Sequence, residues 1–144
     1  MSASIHWRLM FRVNDRGALD RCLARTLPLF GDGVEVGDCK PYWKIPELWE
    51  CNLMSRLPGG PAAEQILGCL LTAMSLGTGW YILGTLSAES AAGFSGVFNA
   101  KGQSSASGPA VGLEWASFDV GPAGSAERSK AADVEGCNPP LTNG

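Results

Sequence analysis

The sequence predicts an α+β fold, a two-layer domain in which an antiparallel sheet carries two helices on one face. Apolar and polar residues alternate over residues 5–13 and again over residues 49–57, which is the period of a β-strand. A segment with apolar residues at helical spacing follows each of these strands. The resulting order, β-α-β-β-α-β plus two C-terminal strands, predicts a variant of the ferredoxin-like arrangement.

The first strand and the first helix have the clearest patterns. One face of the strand is apolar. The other includes His6 and two arginines, Arg8 and Arg12, and we expect this polar face to meet solvent or a partner. Asp15 offers an N-cap for the helix, and Pro28 marks its end. The predicted apolar face of the strand is Ile5, Trp7, Leu9, Phe11 and Val13. The predicted buried side of the helix is Leu19, Cys22, Leu23, Thr26 and Leu27.

The middle of the chain is less regular. Residues 34–36 form a short strand candidate, and Pro41 and Pro46 interrupt residues 38–49, which indicates a loop or an irregular edge strand. A second helix should begin near Pro61 and end at Gly77. Its predicted buried stripe is Ala63, Ile66, Leu67, Leu70 and Met74.

Residues 65–88 contain no charged side chain, and residues 66–86 are long enough for a membrane-spanning helix. The sequence Gly77-Thr78-Gly79 interrupts this segment, and no lysine or arginine lies close to either end. We therefore expect a buried helix followed by a buried strand over residues 80–86, with no membrane association.

The C-terminal third predicts a final pair of strands over residues 94–99 and 111–120, joined by the Gly- and Ser-rich residues 101–109. Residues 121–144 contain no aromatic side chain and few large apolar ones. We therefore predict a single domain over residues 1–120 and a tail with little intrinsic structure over residues 121–144.

Composition and motifs argue against several kinds of function. The net charge of −3 and the pI near 5.1 argue against general electrostatic binding of nucleic acid. The single histidine, His6, reads as an exposed structural residue, and neither a phosphate-binding loop nor a C-x-x-C pair occurs. We therefore predict no catalytic residues, metal site or cofactor. The odd number of cysteines, five, and the absence of a signal-peptide pattern favour free thiols in a cytoplasmic protein.

An acidic segment interleaved with aromatic residues is the strongest binding feature. Carboxylates steer the encounter with a basic partner, while tryptophan and tyrosine anchor the centre of an interface. Tyr42 and Trp43 are adjacent and cannot both point inward from a strand, whereas Trp49 shares a face with Leu53 and is expected in the core. The candidate partner-binding residues are Asp32, Glu35, Asp38, Tyr42, Trp43, Glu47 and Glu50.

The block Tyr42-Trp-Lys-Ile-Pro-Glu-Leu-Trp-Glu50, after the start Arg12-Val-Asn-Asp-Arg16, resembles the immunity proteins of bacterial contact-dependent growth inhibition systems. The resemblance is one of architecture over residues 4–120 and rests on no diagnostic motif. It implies a toxin inhibitor that occludes the active site of a cognate, basic toxin domain and has no activity of its own.

Two alternatives stay open. The first is a small-molecule-binding domain or an enzyme of an unfamiliar type, with a pocket between sheet and helices near Cys69, Trp80 and Trp115. The second is a subunit whose sheet pairs with itself or with another chain, as in a homo-oligomer.

Overall fold

The computed structural model describes residues 3–84, 89–100 and 112–122, and within them the chain has an α+β fold. Both α-helices follow strands of one antiparallel sheet, and a short 3-10 helix, Leu27–Phe30, continues the first of them. The elements are β1 Ala3–Arg12, α1 Arg16–Thr26, β2 Glu35–Pro41, β3 Leu48–Arg56, α2 Ala62–Leu76, β4 Tyr81–Gly84, β5 Phe94–Asn99 and β6 Leu113–Pro122. This order of elements along the chain is the predicted one.

The six strands are arranged in the order β2-β3-β1-β6-β5-β4, and every neighbouring pair is antiparallel. β3 lies between β1 and β2, the two strands that α1 connects, as in a split β-α-β unit. The last strand, β6, pairs with β1, while β4 lies at the far edge next to β5. The two C-terminal strands therefore extend the sheet from its centre and separate β4 from β1.

One face of the sheet forms the hydrophobic core with both helices. Trp7, Leu9 and Phe11 are fully buried there, and the Trp7 indole donates a 2.8 Å hydrogen bond to the hydroxyl of Ser55. The predicted apolar face of the first strand is thus confirmed as the centre of the core. Both helices contribute side chains to this cluster, among them Leu19, Cys22, Leu23, Cys69, Ala73 and Leu76.

The local signals around α1 are also confirmed. The carboxylate of Asp15 accepts a 2.8 Å hydrogen bond from the backbone N–H of Ala18, as an N-cap residue does. The irregular segment after α1 contains the edge strand β2, whose register to β3 shifts between Val36 and Cys39. Pro41 is tolerated at the end of β2 because this strand has only one neighbour in the sheet, and Pro46 lies in the loop that follows.

The predicted buried stripe of α2 is largely wrong. Ile66 and Leu70 pack partly against the core, whereas Ala63, Leu67 and Met74 are exposed. Because α2 is apolar on nearly all sides, its periodicity does not select the face that packs. The side chains that it buries are mostly small, which lets the helix approach the sheet closely: Ala62, Cys69, Ala73 and Leu76.

A strand follows α2 as predicted, but the prediction that this strand is buried is wrong. The strand exists as β4, but all four of its residues are exposed, because it lies at the edge of the sheet. Gly121 and Pro122 belong to β6, and the remainder of the predicted tail lies outside the described residues, as does the loop predicted over 101–109. No helix in the described part of the chain is long and apolar enough to cross a membrane.

Candidate protein-binding surface

The face of the sheet opposite the core, here called the open face, carries the even-numbered residues of β1. The two arginines of β1, Arg8 and Arg12, are both paired with carboxylates of neighbouring strands. The Nε atom of Arg8 donates a 2.7 Å hydrogen bond to Glu50 on β3, and the guanidinium of Arg12 binds both carboxylate oxygens of Glu114 on β6 at 2.6 and 3.0 Å. Arg8 and Arg12 are therefore each paired with a carboxylate on a strand next to β1.

His6 occupies the centre of the open face and is not an exposed residue as predicted. Its side chain is 13% exposed, and its Nε2 atom lies 3.0 Å from the amide oxygen of Asn52. Its Nδ1 atom lies 3.9 Å from a carboxylate oxygen of Asp119. The nearby carboxylate of Asp119 raises the pKa of His6 from its ordinary value, against the opposing effect of burial. The imidazole therefore bridges β1 to its two neighbouring strands.

A groove of about 420 Å³ runs across one end of the open face. Tyr42 and Ile45, from the loop between β2 and β3, form one wall, and Trp115 of β6 contributes to the other. The loop helps to bury Met10, which is only 5% exposed although it points away from the core. The remaining lining residues are Arg8, Leu48, Asn99 and Glu114.

The predicted acidic and aromatic residues gather along β2 and the loop that follows it. Tyr42 is half-buried in the groove, whereas the adjacent Trp43 is 68% exposed at the turn of the loop. The two adjacent rings therefore differ in exposure, although their centroids lie only 6.1 Å apart. The ammonium of Lys44 lies 5.0 Å from the centre of the Trp43 ring. We call the exposed set along this side of the sheet the acidic edge: Asp32, Glu35, Asp38, Trp43 and Glu47.

Glu50 does not belong to this exposed set, although it was a candidate contact residue. It is 7% exposed, and its carboxylate binds Arg8. A strand pattern cannot show this, because the two residues are 42 positions apart and meet only through the register of β1 and β3. Trp49 is half-buried and packs against the core, in line with its predicted place.

A second exposed surface lies along β4 and the outer side of α2. Tyr81 is 72% exposed, more than any other large hydrophobic side chain at the described surface. Neither α2 nor β4 contains a basic residue, and the uncharged residues 65–88 were the sequence signal for this surface. We call it the apolar edge, and it consists of Leu67, Leu71, Met74, Tyr81, Ile82 and Leu83.

The three residues suggested for a pocket between sheet and helices are not brought together. Trp115 lies on the open face, since its β1 partner is Met10. Cys69 is fully buried in the core. The ring of Trp80 stacks on Phe98 at 5.3 Å, and its Nε1 atom donates to the backbone oxygen of Ala73 at 2.8 Å. The Trp80 side chain thus joins α2 to the sheet as part of the packing.

In the described part of the chain, no three histidine, cysteine, aspartate or glutamate residues are placed to hold a metal ion. Comparison with protein-family models, with curated proteins and with solved structures found no match to this chain. The chemistry of the surfaces is therefore the basis for a proposal about function.

Proposed function

We propose that this protein is a protein-binding module that recognises a basic partner through its acidic edge. The observation that carries the proposal is the position of Trp43, a large aromatic side chain that is 68% exposed in a segment where Glu35, Asp38 and Glu47 are exposed as well. Tryptophan is enriched among the residues that dominate binding energy in protein interfaces. Its loop is braced by a 2.7 Å hydrogen bond from the N–H of Tyr42 to the carbonyl of Leu48 and contains Pro46, so that little conformational freedom is lost on binding.

The charges around Trp43 support a basic partner. Glu35, Asp38 and Glu47 are exposed along the same side of the sheet, and Asp32 lies in the turn before it. Arg8 and Arg12 on the neighbouring open face are paired with carboxylates, and the exposed Lys40 and Lys44 offset only part of the negative charge of this segment. Such a field increases the rate of association with a positively charged protein.

An immunity protein is the specific form of this proposal. Blocking the active site of a basic toxin domain needs only a complementary surface, and a chain of this size offers one at the acidic edge. We further propose that the protein acts in the cytoplasm, since Cys22, Cys39, Cys51 and Cys69 are free thiols. We regard its sheet as a ferredoxin-like variant in which β6 occupies the position beside β1.

The experiment is a capture of partners from the source lysate with the full chain as bait, followed by mass spectrometry. The wild-type chain should retain one stoichiometric basic protein. The double variant Glu35→Lys/Glu47→Lys should retain much less of it, because the reversed charges repel the partner. Charge reversal of this kind mainly lowers the association rate, by about tenfold for a steered complex.

The matched control is Glu64→Lys, which reverses an exposed charge in the first turn of α2, outside the acidic edge. It should capture the partner as the wild type does. Equal capture by the double variant and the wild type would remove the acidic edge from the interface. A circular dichroism spectrum of each variant shows that the fold is retained.

The groove on the open face favours a second candidate, a small-molecule-binding domain. Its volume of about 420 Å³ lies in the range of ligand pockets, and Tyr42 and Trp115 offer aromatic walls. A screen of small molecules by thermal shift, repeated with Trp115→Ala, tests this reading. A ligand that stabilises the wild type and not the variant would support it.

A further inference from the structure

Two cysteines lie directly opposite each other on neighbouring strands. Cys39 of β2 pairs with Cys51 of β3 in the register of the sheet. Cys51 is part of the hydrophobic core, and Cys39 packs against that core from the edge strand. Their side chains therefore project from the same face of the sheet.

The hydrogen-bond pattern identifies the type of this pair. The N–H of Tyr42 donates to the carbonyl of Leu48, so these two residues occupy a hydrogen-bonded position of the antiparallel ladder. Hydrogen-bonded and non-bonded positions alternate, which makes Pro41 opposite Trp49 a non-bonded pair. That assignment fits proline, which has no N–H to donate. Two residues further along, Cys39 and Cys51 also form a non-bonded pair.

The spacing of such a pair suits a disulfide. Directly opposite residues at a non-bonded position have Cα atoms about 4.5 Å apart, inside the range of about 4.4–6.8 Å found for disulfide-bonded cysteines. Burial raises the pKa of the Cys51 thiol, and the neighbouring Cys39 thiol raises it further. Cys39 is half-buried and accessible to a small oxidant, whereas Cys51 is fully buried.

We propose that Cys39 and Cys51 form a reversible disulfide that fastens the edge strand β2 to β3. The oxidant is a small-molecule disulfide such as oxidised glutathione. The Cys39 thiolate attacks one of its sulfurs and releases one glutathione thiolate, and the Cys51 thiolate then attacks the Cys39 sulfur and releases the second. Two protein thiols lose two protons and two electrons, and one glutathione disulfide becomes two glutathione thiols.

The new bond would lie beside the irregular part of β2, where the register shifts between Val36 and Cys39. It would restrain a strand that is held by one neighbour only and that leads directly into the loop of Trp43. Oxidation should therefore fix the acidic edge in one arrangement. The effect on a partner rests on the proposed function, but the formation of the bond does not.

The test is oxidation of the reduced full chain with glutathione disulfide, followed by acid quenching and mass spectrometry. The protein should lose the mass of two hydrogen atoms, and its five thiols should fall to three when counted in denaturant. Trypsin cleaves after Arg25, Lys44 and Arg56 and leaves the bond between Lys40 and Pro41 intact. The expected product is therefore one cross-linked species that joins fragments 26–44 and 45–56.

Two variants keep the proposal falsifiable. Cys39→Ser, at a half-buried position, should fold and lose the cross-linked species, whereas Cys137→Ser should give it as the wild type does. Cys39 ending as a glutathione adduct, with Cys51 still a free thiol, would overturn the proposal. Pairing of Cys39 with Cys137 would overturn it as well. Faster amide exchange in β2 after reduction, without any partner present, separates this inference from the proposed function.

Discussion

The two edges of the sheet expose aromatic side chains to a similar extent but differ in charge. On the acidic edge, Trp43 is 68% exposed, and the same segment exposes the carboxylates of Glu35, Asp38 and Glu47. On the apolar edge, Tyr81 is 72% exposed, and the other exposed residues of this set are leucine, isoleucine and methionine. Apolar exposure alone does not choose a partner, whereas a field of one sign favours partners of the opposite sign. From this comparison we propose that the β2 side is the edge that selects a basic partner.

The edges also differ in how they avoid uncontrolled strand pairing. β2 carries a register shift, the exposed Lys40 and the proline Pro41, all of which oppose the addition of another strand. β4 is only four residues long and offers few backbone groups. We infer that a partner at the acidic edge is bound through side chains and not through an added strand.

The largest effect is expected at the carboxylate that anchors β3 to β1. Glu50→Gln removes the charge from the hydrogen bond to the half-buried Arg8 and should lower the free energy of unfolding by about 2–3 kcal/mol. Glu114→Gln breaks the more exposed pair with Arg12 and should cost less than about 1 kcal/mol. Urea unfolding of both variants measures the difference. Equal losses would contradict the role given to burial.

The next effect separates the two aromatic residues. Trp43→Ala should weaken binding of the captured partner by about 2 kcal/mol, close to 30-fold in Kd. Tyr81→Ala removes an equally exposed ring from the opposite edge and should leave Kd unchanged. Isothermal titration with each variant checks this. Weaker binding by Tyr81→Ala alone, with Trp43→Ala unchanged, would show that the partner binds at the apolar edge instead.

A smaller effect is expected from His6, which lies between the two edges. Asp119 raises the pKa of His6, while Asn52 also favours the protonated ring and Arg8 opposes it. The raised pKa means that the stabilisation is fully present below about pH 6.5 and is lost as the pH rises through the folded-state pKa. The melting temperature of the wild type should thus fall between about pH 6 and pH 8 relative to that of His6→Gln. Parallel curves for the two proteins would show that this titration does not contribute.

The smallest effect on stability is expected at the apolar edge. Leu83→Lys changes a side chain that is 50% exposed and should alter the free energy of unfolding by no more than about 0.5 kcal/mol. Partner binding at the acidic edge should not change. Analytical ultracentrifugation tests the alternative of a homo-oligomer. If the wild type forms a concentration-dependent dimer and Leu83→Lys does not, the apolar edge is a self-association surface.

The sequence predicted those elements in which one face is buried and the other is not. Alternation in β1 and β3 is clear because their core residues oppose polar ones, and the cap of α1 has a local signal in Asp15. The packing face of α2 and the exposure of β4 were missed. Both lie in the uncharged residues 65–88, where no polar residue marks the solvent side.

The candidate surface was predictable in part for the same reason. Glu35, Asp38 and Glu47 are near one another along the chain, so the acidic segment stays together on β2 and its loop. Glu50 is instead buried in a pair with Arg8, a residue 42 positions away in the sequence. Such long-range pairing follows from strand register, which a local pattern does not contain.

The most direct test of the central claim is hydrogen exchange, measured by mass spectrometry on the free protein and on its complex with the captured basic partner. Our account predicts slower exchange in the complex over residues 35–47, which include β2 and the loop of Trp43, and no change over β4. Protection confined to α2 and β4, with residues 35–47 unchanged, would contradict it.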